Sequence, residues 1–360
     1  MDKEDLNDLI DLSEEEQEDV TPFRSSLTNY GADYTVDSIQ DRFNKKKLAI
    51  PDFQRKYVWD IKKASRFIES LILGLPVPGV FLSQKSAGPL MIIDGQQRLM
   101  SIKMFYDEKF GESGKEEVFR LKGVQNELEG KTYESLNEDD KSTLDNAVIH
   151  ATIIKDTSVD QDTDTSIYMV FERLNTGGMI LQPQEIRSCV FPGEFNKLLG
   201  NLTNNVYWQK IYKKRSSRKK DEELFLRFFA FLYVNDKYEK KGLKNFLNLF
   251  MKINKDLSKN LTSQELSETF NATIEIAAKY IGDTAFKRGT TINAAIFESV
   301  MVGIAKRLKQ NTPIDGDKVL QIYDKLMRDQ EYIEATSMDT ASVNSVNTRL
   351  NKAIQYFATI

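Results

Sequence analysis

The chain has 360 residues, of which 40% are apolar and 29% are charged, a composition typical of a globular protein with room for two or three domains. It has no apolar run of about 18 residues, which excludes a membrane-spanning helix, and its acidic start lacks the order of a signal peptide. The single cysteine, Cys189, excludes an intrachain disulfide. We therefore expect a cytoplasmic protein without a membrane partner.

A single histidine, His150, excludes a zinc site made of several histidines and a His-Asn-His nuclease. His150 lies in the apolar stretch 148–154, so we expect both it and Cys189 to be buried structural residues. The sequence also lacks a Walker glycine–lysine loop and a dinucleotide-binding glycine fingerprint.

The net charge of −4 is unevenly distributed along the chain. Residues 1–20 carry ten acids against Lys3, a balance of −9, which leaves +5 on the rest of the chain. Residues 1–29 are therefore expected to form an acidic, disordered tail. A frayed helix is the alternative for its first part, and solvation is its expected role.

The first structured segments are a helix over 34–47 and a short strand over 48–50. The segment 51–59, Pro-Asp-Phe-Gln-Arg-Lys-Tyr-Val-Trp, follows neither the helical nor the strand period, and its proline restricts the backbone. Gln54 and Arg55 indicate a loop that contributes to a site. The alternative is that Phe53, Tyr57 and Trp59 simply cover the core, which explains the two polar residues less well.

Asp60 is the predicted N-cap of a helix whose apolar face continues to Ile72. Strands are predicted at 80–82 and 90–93, separated by a turn at Gly88-Pro89. The second strand leads into Asp94-Gly95-Gln96-Gln97-Arg98 and then a helix over 96–106. We interpret this segment as a strand, a tight turn and a helix.

Such a corner directs the N–H groups of the first helical turn, together with the positive end of the helix dipole, towards an anion. Gly95 has no Cβ and permits close approach of a ligand, and Arg98 suits a phosphate. Gln96 and Gln97 donate and accept hydrogen bonds, while Asp94 orients a water molecule or a metal ion. The alternative is an ordinary corner, with Asp94 as the N-cap and Arg98 in a surface ion pair.

Beyond this corner we predict strands at 118–121 and 148–154 and helices at 136–148 and 167–174. The second of these helices ends at Asn175-Thr176-Gly177-Gly178, which fits either a helix C-cap or a ligand loop. Pro183 begins another helix. From about residue 193 onward helical spacing dominates, so an all-α region follows a boundary placed between 190 and 191. Its predicted helices are 222–232, 243–253, 263–280, 293–308, 315–327 and 343–357.

A basic segment lies within this helical region. Six cations occur in eight residues: Lys213, Lys214, Arg215, Arg218, Lys219 and Lys220. Such a cluster attracts a nucleic-acid backbone by counterion release. The alternative is a solvated linker that is partly neutralised by the acids at 221–223.

Three segments in order, 50–59, 93–99 and Phe171-Glu172-Arg173-Leu174-Asn175-Thr176-Gly177-Gly178, resemble the N-terminal family of the GmrSD type IV restriction systems, also found in the SspE defence protein. The resemblance covers roughly residues 30–190. It implies an α+β protein, with a ParB/sulfiredoxin-like α/β domain over 30–190 followed by a helical domain over 191–360.

The resemblance also implies nucleoside triphosphate binding and hydrolysis at Asp94, Gly95, Gln96, Gln97 and Arg98, with Mg²⁺, and sensing of modified phage DNA. Asp94, Gln97 and Arg98 are the expected catalytic residues. The other expected nucleotide ligands are Gln54, Arg55, Gly95, Gln96, Asn175, Thr176 and Gly177.

The chain departs from this family in one respect. Many members carry a C-terminal His-Asn-His nuclease, and that nuclease needs more than the single histidine present here. We therefore expect a DNA-sensing NTPase for which either a separate nuclease or effector subunit supplies cleavage, or the protein blocks phage in another way or regulates. A homo-oligomer is left open. A non-enzymatic DNA-binding regulator and a ParB-like nuclease are the alternatives.

Overall fold

The computed structural model describes residues 10–12, 27–50, 57–84, 88–111, 114–156, 168, 170, 182–213, 216, 218–234, 238, 242–257, 261–310 and 312–360. The chain divides into two compact units. The sheet unit comprises Arg24–Ile180, and the helical unit comprises Leu181–Ile360 together with Met1–Phe23. The division therefore precedes the boundary expected from the sequence.

The strands are β1 (Ile10–Asp11), β2 (Leu27–Thr35), β3 (Leu48–Ala49), β4 (Val80–Gln84), β5 (Leu90–Asp94), β6 (Lys109–Phe110), β7 (Glu117–Val118), β8 (Val148–Asp156), β9 (Lys287–Arg288) and β10 (Thr291–Asn293). The helices of the sheet unit are α1 (Val36–Asn44), α2 (Ile61–Ile72), α3 (Gln96–Tyr106) and α4 (Glu138–Asn146). Those of the helical unit are α5 (Pro183–Val190), α6 (Glu194–Leu202), α7 (Val206–Ile211), α8 (Lys220–Val234), α9 (Gly242–Asn254), α10 (Ser263–Ile276), α11 (Ala294–Leu308), α12 (Gly316–Met327), α13 (Gln330–Ala335) and α14 (Val343–Phe357).

Five strands form a mixed sheet in the order β2-β8-β4-β5-β3. β8 runs parallel to β4, whereas β2 is antiparallel to β8 and β5 is antiparallel to β4. The carboxyl ends of β2 and β5 therefore meet the amino ends of β4 and β8 at one end of the sheet. We call this the site end, and it carries Asp33, Val80, Asp94 and His150.

One face of this sheet packs against its helices. β8 directs Ile149, Ala151 and Ile153 into that core, as expected from the two-residue period of a strand. His150 lies between two of these residues on the opposite face, with 60% of its side chain exposed. The expectation that His150 is a buried structural residue is therefore wrong, whereas Cys189 is buried as expected.

Local patterns locate most elements of the sheet unit. Asp60 caps α2, because its Oδ1 accepts a hydrogen bond from the backbone N–H of Lys63 at 2.8 Å. β5 and α3 occupy the predicted positions on either side of Gly95. The predicted helix over 34–47 is shorter in the structure, since β2 continues to Thr35 and pairs there with Val148.

The helical unit confirms the long helices predicted after residue 193, and the protein is α+β as expected. It also contains short strands that helical periodicity did not indicate. β10 pairs antiparallel with β9 and parallel with β1. The predicted disordered tail therefore does not include residues 10–12, where Ile10 and Leu12 are buried. Residues 1–9 and 13–26 lie outside the described part of the chain.

Candidate functional site

The corner between β5 and α3 depends on Gly95. This residue is the N-cap of α3, and its φ of 93° and ψ of 10° lie in the left-handed region that favours glycine. A Cβ at this position would lie 2.4 Å from Cγ1 of Val80 on β4. The space that glycine leaves is therefore filled by Val80, so close packing within the protein accounts for the glycine.

Asp94 ends β5 with 53% of its side chain exposed, and its Oδ2 accepts a hydrogen bond from Nη2 of Arg98 at 2.9 Å. The ion pair considered as an alternative from the sequence is therefore present. Asp94 is not the N-cap, however, because Gly95 occupies that position and has no side chain to cap α3. The Oδ1 atom of Asp94 has no hydrogen-bond partner among the described residues, so one carboxylate oxygen remains available to solvent.

Arg98 also joins the corner to the segment that enters β4. Its Nη1 donates to the carbonyl oxygens of Pro78 at 2.5 Å and Gly79 at 2.6 Å, and 14% of its side chain is exposed. Three of the five guanidinium N–H groups are thus used within the protein. Arg98 therefore holds two strand ends together at the site end of the sheet.

Gln97 connects α3 to the loop that precedes α2. Its Oε1 accepts hydrogen bonds from the backbone N–H groups of Val58 at 2.9 Å and Trp59 at 3.1 Å. The carboxyl end of the segment 51–59 is consequently attached to the corner. Gln54 and Arg55, which belong to the same segment, lie outside the described residues, and so do Asn175, Thr176 and Gly177.

Tyr57 adds a second contact between this loop and α3. Its hydroxyl lies 2.7 Å from Oγ of Ser101, which itself donates to the backbone carbonyl of Gln97 at 2.7 Å. Burial raises the pKa of Tyr57 to about 12, and the negative charge of Asp60 acts in the same direction. Tyr57 and Trp59 pack against the core as half-buried aromatic residues, as the structural alternative for this segment predicted.

The site end also carries a pair that the sequence interpretation missed. Nδ1 of His150 on β8 lies 2.8 Å from Oδ1 of Asp33 on β2, and the two residues are direct cross-strand partners. Both side chains are mostly exposed, at 60% and 67%. The alternation of β8 was the available signal, because Ile149 and Ala151 on the core face place His150 on the other face.

The basic segment of the helical unit is less exposed than its composition suggested. Arg218 is 8% exposed and donates from Nη2 to Oε2 of the buried Glu185 at 3.0 Å. Lys219 donates from Nζ to Oε2 of Glu222 at 2.8 Å, whereas Lys213 remains 75% exposed. The picture of a uniformly exposed loop is therefore wrong for Arg218. Lys214 and Arg215 lie outside the described residues.

No group of three or more histidine, cysteine, aspartate or glutamate side chains in the described part of the chain is arranged to hold a metal ion. Asp94 is the exposed carboxylate of the corner, and one carboxylate is compatible with Mg²⁺ when substrate phosphates supply further oxygen ligands. Across the described residues, none of the helices combines the length and the apolar character needed to cross a bilayer.

The fold and the corner define an α+β domain with a strand–glycine–helix junction at one end of a mixed sheet. Residues 39–192 match the family model described as the GmrSD restriction endonuclease N-terminal domain, so this part of the chain is similar to that family. The family associates the protein with restriction and defence. No curated protein matches the chain significantly.

Proposed function

We propose that this chain binds and hydrolyses a nucleoside triphosphate, with Mg²⁺, as the DNA-sensing component of a prokaryotic anti-phage defence system. The supporting observation is the corner at Gly95, where α3 begins at an N-cap residue that has no side chain, beside the exposed carboxylate of Asp94. The backbone N–H groups of Gln97 and Arg98 have no partner among the described residues. A phosphate group would complete their hydrogen bonding.

Each residue of the corner has a distinct role in this proposal. The first turn of α3 holds the β- and γ-phosphates through its N–H groups and the helix dipole, and Gln96 lies half-buried in that turn. Arg98 positions Asp94 and retains N–H groups on Nε and Nη2 that can face developing charge. Asp94 orients the water molecule or one Mg²⁺, which would neutralise charge on the phosphate oxygens.

The other assigned residues extend this site. Gln54 and Arg55 belong to the segment whose far end Gln97 holds, and Asn175, Thr176 and Gly177 complete the proposed nucleotide site. For DNA, the exposed Lys213 is the favoured contact, together with Lys214, Arg215 and Lys220. Arg218 and Lys219 support the segment through their pairs with Glu185 and Glu222. A separate nuclease or effector subunit would carry out cleavage.

A second candidate function has its own supporting observation. Arg98 donates to Pro78, Gly79 and Asp94, so much of its hydrogen-bonding capacity is used within the protein. This favours a DNA-binding regulator in which the corner holds a backbone phosphate without turnover. The two functions differ in a measurable property, since only the first releases inorganic phosphate from a nucleotide.

The test is phosphate release by the full chain with Mg²⁺ and each of the common nucleoside triphosphates, with and without DNA. Asp94→Asn keeps the shape and one acceptor oxygen but removes the charge, and we expect turnover to fall about 10²–10³-fold, as for the loss of one electrostatic group. Asp41→Asn is the matched control, because Asp41 is also 53% exposed and forms an i,i+4 ion pair with Lys45. We expect Arg98→Ala to abolish turnover as well.

Folding of each variant is checked by circular dichroism. Turnover by Asp94→Asn equal to that of the Asp41→Asn control would remove Asp94 from the reaction. Absence of turnover by the unmodified chain, combined with nucleotide-independent DNA binding, would instead support the regulator.

A further inference from the structure

Asp33 and His150 lie at the site end of the sheet but have no role in the function proposed above. Their hydrogen bond, 2.8 Å from Nδ1 to Oδ1, joins neighbouring strands on the face of the sheet opposite its helices, and both side chains are exposed there. Because a carboxylate accepts at Nδ1, the neutral ring carries its proton there and Nε2 is left as an acceptor. Nε2 has no hydrogen-bond partner among the described residues.

The position of the imidazole ring is further restricted by a glycine. Gly31 lies within β2 opposite Thr152, where glycine weakens a strand unless something approaches its backbone closely. A Cβ at Gly31 would lie 2.9 Å from Cε1 of His150, so the ring occupies the space above this glycine. The ring is therefore held in one orientation, by the hydrogen bond to Asp33 on one side and by the backbone of Gly31 beneath it. A freely solvated surface histidine would not be restricted in this way.

A second glycine connects the pair to the corner. A Cβ at Gly79 would lie 2.8 Å from the backbone oxygen of His150, so β8 passes close to the segment that enters β4. The carbonyl oxygen of the same Gly79 accepts a hydrogen bond from Arg98. Only β4 separates β8 from β5, and a strand spacing of about 4.8 Å places the two strands about 10 Å apart. β4 fills the space between them, so a nucleotide bound at the corner would have to reach His150 over the amino end of β4, where a terminal phosphate and its attacking water molecule span a distance of this order.

We propose that His150, held by Asp33, is the general base for hydrolysis of the nucleotide bound at the corner. This inference rests on the proposed function. Nε2 removes a proton from water while the water oxygen forms a bond to the terminal phosphorus. The bond from that phosphorus to the bridging oxygen breaks, and its electron pair leaves with the nucleoside diphosphate. The imidazolium then returns its proton to solvent, which restores the base.

Two charged groups lie near the ring: Asp33 faces it from β2, and Arg98 lies beyond the Gly79 carbonyl on the side of β4. His150→Gln removes the basic ring nitrogen and should therefore lower turnover.

The experiment measures phosphate release and nucleotide affinity for the full chain and for His150→Ala, His150→Gln and Asp33→Asn. We expect kcat of His150→Ala to fall about 10²–10⁴-fold, the usual contribution of a general base, with unchanged affinity for a non-hydrolysable triphosphate. Imidazole added to the buffer should restore part of the turnover of His150→Ala, whereas a purely structural role would not be rescued. Asp33→Asn should lower kcat by a smaller factor.

Tyr30→Phe is the matched control. The hydroxyl of Tyr30 donates to Oε1 of Gln84 at 3.1 Å, another exposed side-chain contact on this sheet but at the opposite end. The control should keep wild-type turnover. The single histidine also provides a direct probe, since the Cε1–H and Cδ2–H NMR signals of its ring can be assigned without ambiguity and should shift when the magnesium triphosphate is added.

The outcomes separate the two proposals. If the chain hydrolyses nucleotide but both His150 variants retain its kcat, the role of His150 is overturned and the proposed function stands. If the unmodified chain neither binds nor hydrolyses any triphosphate, both proposals fail. His150→Gln preserves the size of the side chain, so it tests the base even if His150→Ala were to unfold.

Discussion

Arginine–carboxylate contacts organise both units, but the two settings differ in access to water. In the sheet unit, Arg98 pairs with Asp94, whose side chain is 53% exposed. In the helical unit, a buried ionic chain joins Arg187, Glu223, Arg227, Glu298 and Arg349, all fully buried. Solvent reaches the carboxylate of the corner, whereas the buried chain has to satisfy its charges internally.

The buried ionic chain connects helices that lie far apart in the sequence. Oε1 of Glu223 accepts from Nη2 of Arg227 at 2.8 Å, and Oε1 of Glu298 accepts from Nε of Arg349 at 2.8 Å. Burial lowers the pKa of Arg187 to about 10, and the charge of Glu223 opposes this shift. The comparison teaches that an arginine pair indicates a ligand site only where solvent reaches it, because a buried pair is already committed to packing.

The largest expected effect comes from breaking the buried ionic chain. Glu298→Gln leaves the guanidinium of Arg349 without its carboxylate in a dry interior, so we expect a loss of about 3–5 kcal/mol in the free energy of unfolding. Urea denaturation measures it. Glu331→Gln is the matched control, since Glu331 is 71% exposed and pairs with Lys352 in the same unit. Equal losses in the two variants would contradict the distinction between buried and exposed pairs.

Gly95→Ala tests the corner through its backbone. A left-handed φ and the close Val80 side chain both oppose a Cβ, so we expect a destabilisation of about 1–3 kcal/mol. Gly74→Ala separates the two causes, because Gly74 has a φ of 66° but, apart from its chain neighbours, no atom of the described residues lies within 4 Å of the place where its Cβ would be. A larger loss at Gly95 than at Gly74 measures the contact with Val80. Equal losses would leave backbone strain as the only cause.

Gln97→Ala tests how the corner holds the loop before α2. The N–H groups of Val58 and Trp59 lose their acceptor, at an expected cost of about 0.5–1.5 kcal/mol. Hydrogen exchange at these two amides should become faster in this variant. Gln97→Glu retains an acceptor oxygen and should keep them protected. Unchanged exchange in Gln97→Ala would mean that this side chain does not hold the loop.

The smallest expected stability effect is that of Lys213→Ala, since an exposed charge contributes at most about 1 kcal/mol. If Lys213 contacts a DNA phosphate, the slope of log affinity against log salt should become shallower by about one unit. Arg218→Ala provides the contrast, because it leaves Glu185 buried without its guanidinium and should reduce stability more strongly. A salt slope that is identical with and without Lys213 would leave this segment as a solvated linker.

Much of the fold was predictable because its signals are local. The period of α14, the cap at Asp60 and the apolar run that ends before Asp94 each depend on residues within a few positions. Pairings between distant segments were not predictable, because they leave no such local signal. β2 pairs with β8 more than a hundred residues later, so its length could not be deduced from its own residues.

The candidate site shows the same division. The sequence by itself determined that a turn with glycine would join β5 to α3 and place Asp94 and Arg98 four positions apart, where an i,i+4 contact is expected. Only the tertiary structure decided that Arg98 would also hold Pro78 and Gly79, because these belong to a different strand.

Contacts in the helical unit and on β8 also depended on residues that are distant in the sequence. The tertiary structure decided that Arg218 would pair with Glu185, 33 positions away, and that His150 would lie exposed against Gly31 and Asp33. Helix and strand periodicity and helix capping depend on neighbouring residues and can therefore be predicted from the sequence. The partner of a charge depends on which distant segment packs beside it, and that is settled only when the core forms.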